Sequence, residues 1–119
     1  MANAYPGKRP LADKYVNAQL ADISAAGSVT VPVAGQGALI GLRLARSATT
    51  TGTAAITVAL NGTALSGAVL SVTAGAATDV ISVDVPPAAV KDGDVLAFTS
   101  NGGSTGASTG TITAVIREL

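Results

Sequence analysis

The chain has 119 residues, enough for one domain, and its seven basic and seven acidic side chains give a formal net charge of zero. It has no histidine and no cysteine, so the commonest general base, the commonest metal ligand and every thiolate site are missing. A nucleic-acid-binding protein normally has a basic surplus and stacking aromatic residues, but aromatic residues make up only 3% of this chain. The composition therefore argues against catalysis, against nucleic-acid binding and against a disulfide-stabilised fold.

Residues 1–17 differ in character from the rest of the chain. They hold three of the seven basic residues, both tyrosines and two prolines, and proline disfavours helix. We predict an extended N-terminal arm over residues 1–17, followed by one β domain over residues 18–119. The arm is suited to lying along another subunit, and a disordered tail is the alternative. The predicted contact residues are Tyr5, Pro6, Lys8, Arg9, Pro10, Lys14 and Tyr15.

From residue 28 onward, apolar residues recur at every second position, which is typical of strands with one face on a core. In chain order the alternating runs are SVTVPV, ALIGLRLA, AAITVAL, VLSVTA, DVISVDV, DVLAFTS and TGTITAVIREL. In the second run, the pattern places Ile40, Leu42 and Leu44 on the core face. Turn signals such as Asn61-Gly62 separate the runs. Seven or so short strands predict an all-β fold, an antiparallel β-sandwich with jelly-roll character.

The opposite faces of these strands carry small, weakly polar residues where an exposed sheet would normally carry charged ones. These residues are Ala55, Thr57, Ala59, Val69, Ser71, Thr73, Val80, Ala97, Thr99, Thr113 and Val115. One explanation is a low-charge surface adapted to its environment. The other is a surface that packs on identical subunits or on a larger assembly. Edge strands without charged residues favour the second explanation, because uncovered edges tend to aggregate.

The motif Asp92-Gly93-Asp94 could belong to a metal loop, a catalytic pair or a turn. A calcium loop needs oxygen ligands at alternating positions, whereas residues 95–97 that follow the motif are all apolar. A catalytic pair would need Asp79 or Asp84 to converge on the motif, and nothing in the spacing demands this. We predict a turn in which aspartate caps local amides, and we predict no catalytic residue, metal or cofactor.

The arm ANAYPGKRP, followed by an Ala/Thr/Gly-rich β domain that ends in VPPAAVKDGDVLAFTSNGG…GTITAVIREL, resembles the small head decoration (cement) proteins of tailed bacteriophages. The resemblance implies a non-enzymatic protein, commonly a homotrimer, made in the host cytoplasm and placed on the outer surface of the virion. There it would stabilise the capsid against the pressure of the packaged DNA. Its implied partners are the major capsid protein and neighbouring decoration subunits, with no nucleic acid and no membrane. The arm from Tyr5 to Tyr15 would reach onto one of these partners.

Two other functions remain open from the sequence. The first is a trimeric receptor- or glycan-binding head domain of a viral fibre, since similar turns before an amphipathic strand occur in trimeric jelly-roll heads. Sugar binding usually needs exposed aromatic residues, and the chain has only Tyr5 and Tyr15 plus Phe98, which ranks this function second. The second is a hydrolase, which the lack of histidine and of converging acids makes the weakest of the three.

Overall fold

The computed structural model describes residues 13–118, which form ten β-strands and no helix. The strands are β1 (Asp13–Leu20), β2 (Ala26–Pro32), β3 (Gly37–Arg46), β4 (Thr51–Gly52), β5 (Ala54–Leu60), β6 (Thr63–Val72), β7 (Val80–Val90), β8 (Val95–Asn101), β9 (Ser104–Thr105) and β10 (Gly110–Glu118). The predicted all-β class is confirmed, since the alternating apolar runs lie in strands.

Eight of these strands form two four-stranded antiparallel sheets. Sheet I has the order β1-β10-β3-β7, sheet II has the order β2-β8-β5-β6, and the short strands β4 and β9 pair separately. The pairs are nested along the chain: β1 with β10, β2 with β8, β3 with β7, and β5 with β6. Nested antiparallel pairs divided over two facing sheets form a jelly roll. The predicted antiparallel sandwich is therefore confirmed, with jelly-roll topology.

The hydrophobic core lies between the two sheets and consists of the inward-facing residues of every long strand. Phe98, at the centre of β8, is the only aromatic residue that residues 13–118 contribute to it and is fully buried. Aliphatic side chains from both sheets surround it: Leu42 and Ile112 from sheet I, and Ile56 and Leu70 from sheet II, are also fully buried. These side chains fill the space of about 10 Å between two packed sheets.

The predicted core face of β3 is correct for Leu42 and Leu44 and wrong for Ile40. Leu39 is fully buried instead, and Ile40 is half-buried. The register of β3 shifts at this position against both neighbouring strands. A bulge adds one residue and so reverses the inward and outward alternation on one side of it. The facing part of β7 contains Pro86-Pro87, which cannot donate to the ladder, so regular pairing is interrupted there.

The structure also differs from the sequence prediction at the start of the domain. Residues 13–17, which we assigned to the arm, form the first half of β1 and pair with β10 from Asp13 opposite Arg117 onward. Within β1, Ala18 and Leu20 face the core and are buried. This alternation is short and includes a weakly apolar alanine, so it was not evident beside the prolines. The rest of the predicted arm, residues 1–12, lies outside the described residues.

Candidate functional site

The Asp92-Gly93-Asp94 motif forms the turn between β7 and β8, as predicted. The Lys91 amide donates to Asp94 Oδ2 at 2.9 Å, and the Asp94 amide donates to the Lys91 carbonyl at 3.1 Å. Gly93 has a φ of 90°, a conformation that side chains with a Cβ rarely adopt. The Gly35 amide donates to Asp92 Oδ1 at 3.2 Å. Both carboxylates therefore cap backbone amides around the turn.

The same turn forms hydrogen bonds with Asn61, at the tip of the β5–β6 hairpin. Asn61 has a φ of 50°, as the predicted Asn-Gly turn requires, and its Nδ2 donates to Asp94 Oδ1 at 3.1 Å. Its Oδ1 accepts the Val95 amide at 2.9 Å. A shallow cavity of about 460 Å³ opens beside these residues. Asn61 and Asp94, two of the polar groups that line it, already bind each other. Their side chains therefore stabilise this corner of the sandwich.

The hydrogen bonds at the corner make stability depend on pH. The Asn61 amide, followed by the Lys91 N–H, holds the pKa of Asp94 below its ordinary value of 3.8, and hydrogen bonds from Ser24 do the same for the pKa of Asp22. A carboxylate whose pKa is lowered by folding stabilises the fold above its unfolded pKa. This contribution is lost as the pH falls through the folded value.

We therefore expect the melting temperature of the wild-type protein to fall as the pH drops below about 3.8. Asp94→Asn should melt lower than wild type at neutral pH and show a smaller further loss in acid, because it has no proton to take up at this position. Asp22→Asn provides the comparison, since it should remove a separate part of the same acid dependence. Melting curves from neutral pH to about pH 2 test this. An Asp94→Asn profile parallel to that of wild type would contradict it.

Of the seven predicted contact residues, the structure describes only Lys14 and Tyr15. Lys14 Nζ lies 3.6 Å from Glu118 Oε2, so this ammonium group is paired within the domain. Tyr15 is 57% exposed on the outer face of sheet I, where a partner can reach it. The other five, Tyr5, Pro6, Lys8, Arg9 and Pro10, lie outside the described residues, and their role stays a prediction.

The charged residues of the described strands are divided unequally between the two sheets. All seven belong to sheet I: Asp13, Lys14, Arg43, Arg46, Asp84, Arg117 and Glu118. The four strands of sheet II contain no Asp, Glu, Lys or Arg at any position. The sequence showed that the outward positions are small, but not that one whole sheet lacks charge.

The outer face of sheet II is correspondingly uniform. One row across its four strands reads Ser28, Thr99, Thr57 and Val69, and the outward positions on either side of this row are also small. The outward side chains are Ala26, Ser28, Thr30, Pro32, Ala55, Thr57, Ala59, Ala64, Val69, Ser71, Val95, Ala97, Thr99 and Asn101. We call this surface the uncharged face. None of its side chains is long enough to keep another surface at a distance.

Three of the four edge strands of the two described sheets, β7, β2 and β6, are better protected than the sequence suggested. On β7 the edge is interrupted by Pro86-Pro87, and β2 ends at Pro32. On β6 the register shifts around Gly67, whose φ is 77°. A Cβ at this position would lie 3.0 Å from the Pro86 ring. Prolines and bulges hinder pairing with a strand of another chain. The outer faces of the sheets are therefore better suited to be a contact surface than these three edges.

The outer face of sheet I is polar and uneven. Across its strands one row reads Tyr15, Val115, Gly41 and Asp84, and the next reads Asn17, Thr113, Arg43 and Ser82. Asp13 and Arg117 form an ion pair, with Oδ1 and Nε 3.2 Å apart. Because Gly41 has no side chain, a depression of about 220 Å³ lies above it. We call it the Gly41 depression.

A scan against known protein families finds no model that matches this sequence, and a search of curated proteins finds no significant match. Within residues 13–118, no three His, Cys, Asp or Glu side chains are grouped so that they could hold a metal ion. The same part of the chain contains no helix that is long and apolar enough to cross a membrane.

Proposed function

We propose that the protein is a non-enzymatic decoration (cement) protein of a tailed-phage head, which binds the outer surface of the shell and stabilises it. The observation that carries this proposal is the uncharged face of sheet II, which spans four strands without a charged side chain. We propose that this face lies against the major capsid protein and neighbouring decoration subunits. The polar face of sheet I then points to solvent.

The absence of charge on this face lowers the cost of covering it. A charged side chain that is buried without a partner costs several kcal/mol, and the centres of protein interfaces are accordingly depleted of charge. Alanine loses no rotamer freedom on burial, and Ser and Thr lose less than long side chains do. A flat surface of such residues can therefore approach another flat surface closely and at little entropic cost.

Small side chains also limit how strongly one copy can bind. Each buries little apolar area, and hydrophobic stabilisation scales with area at about 25 cal/mol per Å². A homotrimer that engages several capsomers at once converts weak single contacts into strong overall binding. We therefore propose a homotrimer, whose basic arms extend the contact onto the capsid or an adjacent subunit.

The proposal is tested with heads of the encoding phage that lack decoration protein. We expect the purified chain to have the mass of a trimer in solution, to co-sediment with these heads in a fixed number of copies, and to raise their resistance to heat-induced DNA release. A chain with residues 2–12 deleted keeps all of β1 and should bind the heads less tightly. A monomeric chain that does not co-sediment with the heads would contradict the proposed function.

A further inference from the structure

The Gly41 depression has a floor of backbone and aliphatic carbon. Gly41 forms its centre, and Val115 lies directly opposite on β10. Val115 points to the outer face of the sheet and yet is only 6% exposed, so the surrounding side chains stand above it. The volume of about 220 Å³ is smaller than the roughly 300–1,000 Å³ of pockets that enclose drug-sized ligands, so it suits one small ring.

One wall of the depression carries two opposite charges that do not bind each other. Asp84 lies opposite Gly41 on β7, and Arg43 lies two residues farther along β3. Neither makes an ion pair or a side-chain hydrogen bond with another residue in the described part of the chain, whereas Asp13 and Arg117 nearby are paired at 3.2 Å. Within residues 13–118, the wall therefore offers a guanidinium donor and a carboxylate acceptor that have no other side-chain partner, in one small area.

Of the two aromatic residues that the structure describes, Tyr15 is the one on the same outer face as the depression. It occupies the same row as Val115 and Gly41, two strands away from Gly41, or about 10 Å at the usual strand spacing. Among residues 13–118 it is the only exposed aromatic residue, since Phe98 is fully buried in the core. An aromatic face, an aliphatic floor and the Asp84 carboxylate thus follow one another along a single row, and Arg43 lies in the adjacent row.

We infer that the Gly41 depression binds a short neutral glycan. One pyranose ring lies over Gly41 and Val115, where its hydroxyl groups donate to the Asp84 carboxylate and accept from the Arg43 guanidinium. A second ring extends along the row and stacks on Tyr15. Aliphatic and aromatic surfaces suit the C–H faces of sugar rings, and a few polar groups fix the orientation.

The charge of the site favours a neutral ligand over an ionic one. The depression is lined by two acidic and two basic residues, Asp13, Asp84, Arg43 and Arg117, whose formal charges cancel. A hydroxyl group both donates and accepts, so neighbouring hydroxyls satisfy Asp84 and Arg43 together without adding charge. An anionic ligand would pair with Arg43 but face the Asp84 carboxylate, and a cationic ligand would meet the reverse problem.

The site lies on the opposite sheet from the uncharged face, so its existence does not depend on the decoration function. Because it is open to solvent, we expect a single site to bind with a Kd near 1 mM. Several copies displayed on one particle would raise the overall strength of binding by multivalency.

Gly41→Val tests the site directly because the fold has room for it. A Cβ at position 41 would meet only the Val83 carbonyl at 3.5 Å and Val115 atoms at 3.9 Å or more, which are ordinary contacts. The added methyl groups would fill the depression. Gly27→Val is the matched control: Gly27 also lies in a strand, on sheet II, and a Cβ there meets nothing within 4 Å.

The measurement is a titration followed by amide NMR shifts, using the methyl glycosides of glucose, mannose and galactose together with maltose, cellobiose and lactose. At least one of these sugars should cause saturable shifts at residues 41, 43 and 84. Gly41→Val and Arg43→Gln should each weaken binding about tenfold or more, Tyr15→Ala should weaken disaccharides more than monosaccharides, and Gly27→Val should bind as wild type does. The inference is overturned if no sugar of the panel gives saturable shifts, or if Gly41→Val binds as tightly as wild type.

Discussion

Thr99→Arg is expected to prevent the protein from covering phage heads while leaving the domain folded. Thr99 lies on β8 between Ser28 of β2 and Thr57 of β5, at the centre of the uncharged face. An arginine there would bring an unpaired charge into the proposed interface, which costs about 2–5 kcal/mol or roughly a 30- to 4,000-fold loss of affinity. Co-sedimentation with heads measures the affinity, and a melting curve verifies that the domain is folded.

The matched control is Thr111→Arg. Thr111 is an exposed threonine on β10 of sheet I, next to Gln19 and Ala45 in the register. Thr111→Arg makes the same substitution on the outer face of sheet I, where charged side chains already occur. Head binding should therefore stay near the wild-type level. Thr57→Arg, one strand away from Thr99, should repeat the loss.

Comparing Thr99→Arg, Thr111→Arg and the wild type also distinguishes an error in the proposed contact surface from an error in the proposed decoration function. If Thr99→Arg and Thr111→Arg bind heads equally well, the uncharged face is not the contact surface. Head binding by the wild-type chain would in that case depend on another surface, for which the arm is the next candidate. If neither variant nor the wild type binds heads, the decoration function itself fails.

Features fixed by neighbouring residues could be predicted from the sequence. The Asn61-Gly62 hairpin and the turn through Asp94 depend on local backbone preferences and short-range capping, and both are present as predicted. The strands from residue 28 onward were recognisable because their alternation is strong. In β1 only Val16, Ala18 and Leu20 carry the apolar alternation, beside charged residues and prolines, so its first half was mistaken for part of the arm.

Features fixed by the pairing of distant strands could not be predicted from the sequence. Alternation indicates which side chains face a core, but it does not assign a strand to one sheet or the other. The segregation of charge onto sheet I follows from the sheet order, and the bulge at Ile40 follows from its two neighbouring strands. In the same way, Tyr15, Gly41 and Asp84 become neighbours in a row only after strands far apart in sequence have paired.

Phe98→Ala should cause the largest loss of stability of any substitution discussed. Phe98 is fully buried at the centre of the core, and truncating such a residue removes its transfer free energy and leaves a cavity, at a cost of about 3–5 kcal/mol. Domains of this kind have a total stability of only about 5–15 kcal/mol, so we expect the melting temperature to fall by roughly 12–20 °C. Val95→Ala is the control on the same strand: Val95 is partly exposed on the outer face and should change stability by about 0.5 kcal/mol or less. Calorimetric melting of both variants decides the matter, since similar melting temperatures would mean that the two sheets do not close around β8.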